Sequence, residues 1–73
     1  MTETLGERIR QARERYGMSQ AELSRRVGIS KNAMNRIEGS KTPDPAASIV
    51  KAVAETLHVS TDYLLGCKEL EYV

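Results

Sequence analysis

Tryptophan and phenylalanine are absent from this chain of 73 residues, and cysteine and histidine occur once each. Without those two rings any core must be aliphatic, built from Leu, Ile, Val, Ala and Met, with tyrosine at its margins. The lone Cys67 excludes an internal disulfide and a cysteine-rich metal site, and it points to a reducing compartment. No apolar run approaches the roughly 18 residues that span a bilayer, and the N-terminus lacks the apolar centre of a signal peptide. Strand-like alternation of useful length is missing. So are a phosphate-binding glycine loop and any catalytic motif, which argues against an enzyme and leaves no cofactor, metal or small-molecule ligand to expect. What remains is a cytoplasmic-type domain with room for a single modest core.

Charge of one sign is scarce only in half of the chain. Residues 1–41 carry nine Lys and Arg against five acids, a net of +4, whereas residues 42–73 carry two against five, a net of −3. A basic half joined to an acidic half reads either as chance in a small domain or as a polyanion partner for the first half.

Five segments show helical spacing of apolar residues, and each has a start or stop signal. Leu5, Ile9, Ala12 and Tyr16 form the first stripe, opened by Thr4 with Glu7 as a capping box and ended by Gly17. Ser19 with Glu22 reads as a second capping box, for a helix ending at Gly28. A third helix starts at Ser30 and runs to about Gly39. Asp44 and Pro45 read as N-cap and first residue of a fourth, with Ile49, Val50, Val53, Ala54 and Leu57 inward. Ser60 caps a short fifth helix, closed by Gly66. Three pairs, Met18 with Leu23, Ile29 with Met34 and Val59 with Leu64, have hydrophobic-staple spacing, which sets the angle of entry into a helix. Such short helices are marginal alone and must be locked by packing. The expected fold is all-α: a compact five-helix domain over residues 1–66, followed by a short tail, residues 67–73.

The stretch SQAELSRRVGISKNAMNRIE, residues 19–38, has the form of a helix-turn-helix: two short helices joined by a turn containing glycine. Leu23, Val27, Ile29, Met34 and Ile37 face inward in that arrangement, and Ser24 is small where the two helices approach. At about 100° per residue, Asn32 and Arg36 then lie opposite the inward direction, with Lys31 and Asn35 toward one flank. Arg pairs with guanine and Asn with adenine in the major groove. Asn is also a poor helix former, so two of them in so short a helix bring no evident structural return. Arg13 and Glu38 both fall beside core stripes, as a structural ion pair or as two unrelated surface charges.

Taken together, LGERIRQARERYGMSQAELSRRVGIS, RIEGSKTPDP and LHVSTDYLLG resemble the lambda-repressor-like (Xre-type) helix-turn-helix family over nearly the whole chain. The resemblance implies double-stranded DNA as partner, contacted by Lys31, Asn32 and Arg36 in the major groove with Asn35 nearby. It implies phosphate contacts by Gln20 at the start of the second helix and by the loop Ser40, Lys41 and Thr42, whose backbone N–H groups would face the phosphates. Ser19 and Ser30, at the two helix N-termini, belong to the same phosphate-binding set. Arg13 and Glu38 match the family's buried pair. Two departures stand out: Ser24 replaces the usual alanine, and the loop continues as Pro43-Asp44-Pro45-Ala46, which argues against minor-groove readout. The whole then reads as a transcriptional regulator, a repressor-like homodimer on a palindromic operator. An antitoxin-like or adaptor module that keeps the fold is the alternative, as is the DNA-binding part of a longer regulator.

His58 reads as a helix-end residue and Cys67 as an ordinary thiol. The tail adds Leu70, Tyr72 and Val73, which either fray, fold back on the core, or join a partner chain beside Tyr63 and Leu64.

Overall fold

The computed structural model describes residues 3–67, and among these every regular element is a helix: α1 (Leu5–Tyr16), α2 (Gln20–Val27), α3 (Lys31–Glu38), α4 (Ala47–Leu57) and α5 (Thr61–Leu64). Thr4 opens α1 with a reciprocal cap. Its hydroxyl accepts the Glu7 N–H at 3.1 Å, and its own N–H donates to Glu7 Oε1 at 2.9 Å. Ser19 caps α2 from one side only, its Oγ accepting the Glu22 N–H at 3.1 Å. The Glu22 carboxylate turns instead to Arg26, at 2.7 Å, and to Arg25, so the expected second capping box is half formed. The Arg26 hydrogen bond, joined by the Arg25 charge, holds the Glu22 carboxyl below its ordinary pKa. Gly28 ends α2 at φ 90°, a left-handed conformation that a Cβ disfavours.

Helix α4 begins later than its sequence suggests. Ala46, at φ −57° and ψ 145°, is the N-cap, no side chain caps the helix, and Ile49 and Val50 donate to the Ala46 carbonyl. Asp44 and Pro45 therefore lie outside α4. Pro45 is half-buried and lines an open cleft together with Ile29, Ile37 and Ile49. Ile49 is likewise only partly buried.

Helix α1 packs on α3, α4 and α5, and α2 packs on α3 and α4. Ile9, Leu23, Met34, Val53 and Leu64, one or more from every helix, are fully buried at the centre. The staple residues Met18 and Val59 join that core, while Ile29 is partly buried against it. Tyr63 and Leu64, expected as partner contacts, are 5% and 0% exposed. A single-turn helix has few side chains to anchor it, and these two are spent closing the core; Tyr63 also lies beneath the Arg8 guanidinium, 5.0 Å from its ring centre. Their neighbour Leu65 is the exposed one, at 57%. Leu70 and Tyr72 lie outside the described residues.

Two contacts fix α1 against the end of α3. Gly6 is buried where any Cβ would fall on the Ile37 carbonyl oxygen and within 2.8 Å of the Glu38 oxygen, so the two backbones touch only because no side chain stands between them. Two turns further along the same face of α1, Arg13 forks onto Glu38, Nε to Oε2 at 2.8 Å and Nη2 to Oε1 at 3.0 Å. Arg13 Nη1 also donates to the Met18 carbonyl at 3.0 Å, which ties in the α1–α2 turn. The Glu38 hydrogen bond raises the Arg13 pKa above its ordinary value, so the guanidinium stays charged. Arg13→Ala should cost about 3–5 kcal/mol in urea unfolding, because it leaves the Glu38 carboxylate buried without its cation. A loss below about 1 kcal/mol would class the pair with surface bridges.

Candidate nucleic-acid interface

Ser30 sets α3 in place: its Oγ accepts the Ala33 N–H at 3.0 Å and its carbonyl accepts the Met34 N–H at 3.0 Å. Met34 and Ile37 turn inward, 0% and 4% exposed, which leaves Lys31, Asn32, Asn35 and Arg36 on the solvent side, all exposed. The first turn of α3 contains no acid. The one acid of the helix, Glu38, is turned into the core at 5% exposure. The outward face therefore presents two cations and two amides with no carboxylate among them, a surface suited to accept phosphate or base-edge acceptors and to repel neither.

The residues expected at the phosphates are partly committed within the protein. Gln20 is half-buried, and its Nε2 donates to Glu38 Oε1 at 3.1 Å, making it the third member of the Arg13–Glu38 cluster. Its position in the first turn of α2 still places its backbone N–H, with that of Ala21, among the donors that have no acceptor within a helix. Ser19 remains exposed, its hydroxyl engaged as the cap.

The loop after α3 differs from expectation. Ser40 donates its N–H to the Ile37 carbonyl at 3.1 Å, while Lys41 and Thr42 both donate to the Arg36 carbonyl, at 2.8 Å and 3.2 Å. The final carbonyls of a helix need donors, and here the loop backbone supplies them instead of facing outward. Ser40 holds a left-handed φ of 62°, and its hydroxyl hydrogen-bonds that of Thr4 at 2.9 Å. The groups left for an anion are the exposed Lys41 ammonium and the half-buried Thr42 side chain.

Three features escaped the sequence: the Gly6 approach to α3, the Thr4–Ser40 hydrogen bond and the Gln20–Glu38 hydrogen bond. None has a local signal, because each joins residues 18 or more positions apart. His58 ends α4 at φ 59° and stacks on Tyr16, ring centres 5.9 Å apart, so it joins the ends of α1 and α4. Open clefts also mark the surface, two of them beside these elements. One, of about 270 Å³, lies between α3 and the start of α4. The other, of about 1060 Å³, runs between α4 and α5 with Leu5, Val50, Ala54 and Leu65 on its walls.

A family described as "Helix-turn-helix domain" matches residues 6–68. Repressor protein C2 of Salmonella phage P22 is 39% identical over 64 residues, 88% of this chain and 29% of that protein. The transcriptional regulator SinR of Bacillus subtilis is 35% identical over 69 residues, 93% of this chain and 62% of that protein. The chain thus spans under a third of C2 and about three-fifths of SinR. The solved structure of the P22 c2 repressor in complex with a synthetic operator superposes at a TM-score of 0.83 with 37% identity, over 92% of this chain and 100% of that one. SinR in complex with DNA superposes at 0.79 with 31% identity, over 84% of this chain and 97% of that one. By its five-helix architecture, its α2–α3 geometry and this extent of match, the chain belongs to the helix-turn-helix domain family, in its lambda-repressor-like form.

Proposed function

We propose that this chain binds double-stranded DNA sequence-specifically as a cytoplasmic transcriptional regulator, a binding module and not an enzyme, of the repressor-like kind. The observation that carries the reading is the exposed, acid-free outer face of α3, held outward by the burial of Met34, Ile37 and Glu38. The likeness to a repressor solved on a synthetic operator supports it. In this reading Lys31, Asn32, Asn35 and Arg36 meet base edges in the major groove. The N-terminal turns of α2 and α3, with Lys41 and Thr42, set register on the phosphates. Gln20 contributes chiefly through its backbone N–H and through its hold on Glu38.

The regulator acts as a homodimer on a two-fold operator, since one module contacts few base pairs. Its dimer surface is the apolar cleft beside Leu65, the exposed residue of the α5 region, in place of the buried Tyr63 and Leu64.

Selection of bound duplexes from a random library at near-physiological salt should enrich an inverted repeat with half-sites about one helical turn apart. No enrichment would sink the DNA-binding reading and favour a protein-interaction module. Arg36→Ala should weaken binding to the enriched site by about 1–3 kcal/mol while sparing random duplex; an equal loss on both would reassign Arg36 to phosphate. Leu65→Glu should leave half-site binding intact and remove the cooperative second half-site in a gel-shift titration. Retention of that cooperativity would place the dimer contact elsewhere.

A further inference from the structure

The wide cleft between α4 and α5 is apolar and acidic at once. Leu5 of α1, Val50 and Ala54 of α4, and Leu65 just past α5 line it, and Leu65 is 57% exposed. Among the described residues its charged lining is Asp44, Glu55 and Asp62 against Lys51, a net of −2, although the chain as a whole carries +1. Apolar surface open to water favours whatever covers it, and charge then selects the cover. A second copy brings the same −2 to a two-fold interface, because there each patch meets itself. Self-pairing at this cleft works against like charge, whereas a cationic partner gains from it.

Shape narrows the partner further. The cleft runs between helices, and among the described residues there is no strand edge to pair with an extended segment. Such a segment would bring unpaired N–H and C=O groups against the apolar lining, whereas a helix bonds its own. A helix about 10 Å wide occupies about 850 Å³ over two turns, a size that suits the cleft of about 1060 Å³. We propose that this cleft is a docking groove for a cationic amphipathic helix of a partner protein. Its apolar seam covers Leu5, Val50, Ala54 and Leu65, and its Lys or Arg side chains pair with Asp44 and Glu55. No residue of α3 lines the cleft, so a docked helix spares half-site recognition. It competes instead with the second copy, an effect that rests on the dimer contact proposed above, and so turns a reader of two half-sites into a reader of one.

The probe is a fluorescein-labelled peptide of leucine and lysine, about three turns long, with leucines at i, i+3, i+4 and i+7. Anisotropy reads its binding to the 73-residue chain, and sedimentation equilibrium without DNA reads self-association. From about 0.05 to about 0.3 M NaCl, probe binding should weaken while self-association strengthens, because screening removes an attraction from one and a repulsion from the other. The same peptide with glutamate in place of lysine should not bind. Asp44→Asn combined with Glu55→Gln, at two exposed positions, should weaken the probe about three- to ten-fold. Leu65→Ala should weaken it by a similar factor, and circular-dichroism melts check that the variants remain folded. Saturating probe should return the chain to monomer. A glutamate peptide that binds as well, or probe binding indifferent to the paired neutralisation or to Leu65→Ala, would overturn the docking assignment. A probe that binds as expected and leaves self-association intact would instead overturn the placing of the dimer contact in this cleft, with the docking assignment standing.

Discussion

Glu38 is the last residue of α3 and nearly inaccessible to water, and a carboxylate in that position must be neutralised or the fold gives way. Arg13 supplies a forked pair of hydrogen bonds from α1, and Gln20 supplies a third from α2. One anion thereby joins three helices at a single point. The remaining N–H of the Arg13 fork reaches the Met18 carbonyl, so the turn between α1 and α2 is held by the same side chain. Apolar burial brings these helices together without direction, whereas three hydrogen bonds of fixed geometry decide how they are rotated. The end of α3 is set against α1 and α2 in this way, and with it the direction in which Lys31, Asn32, Asn35 and Arg36 point.

The contact of Gly6 with the Ile37 and Glu38 carbonyls acts on the same joint. It lets α1 approach α3 backbone to backbone, which brings Thr4 within hydrogen-bonding distance of Ser40. The loop after α3 is then held from two sides. Its backbone N–H groups satisfy the helix carbonyls, and its serine hydroxyl is tied to the cap of α1. A loop so committed offers an anion side chains in place of backbone donors.

The acidic half of the chain is organised differently. Asp44, Glu55 and Asp62 surround the wide cleft between α4 and α5, with Lys51 the one cation lining it among the described residues, whereas the outer face of α3 carries no acid. The charge asymmetry visible along the chain becomes an asymmetry between surfaces: one suited to a polyanion, the other apolar and rimmed by carboxylates. The acids around that cleft thus stand apart from the exposed Lys31, Asn32, Asn35 and Arg36.

Much of this was legible in the sequence because it depends on neighbours. Helix starts at Thr4, Ser19, Ser30 and Ser60 follow from hydroxyls that cap N–H groups three residues on, and the ends at Gly17 and Gly28 follow from the left-handed backbone that glycine tolerates. The outward direction of Asn32 and Arg36 follows from helical rotation once Met34 and Ile37 are taken as inward. The start of α4 departs from the Asp44–Pro45 signal because that signal is local, whereas the cleft that Pro45 lines with Ile29, Ile37 and Ile49 joins residues far apart in the chain. Tyr63 and Leu64 were misassigned because an apolar residue in a one-turn helix reads the same whether it faces a core or a partner. The hold of Gln20 on Glu38, the inward bonding of the 40–42 loop and the cleft between α3 and the start of α4 belong wholly to the tertiary structure. Local sequence determines which backbone groups are capped and which faces are apolar. Only three-dimensional packing decides which distant groups meet, because that depends on the angles at which the helices cross.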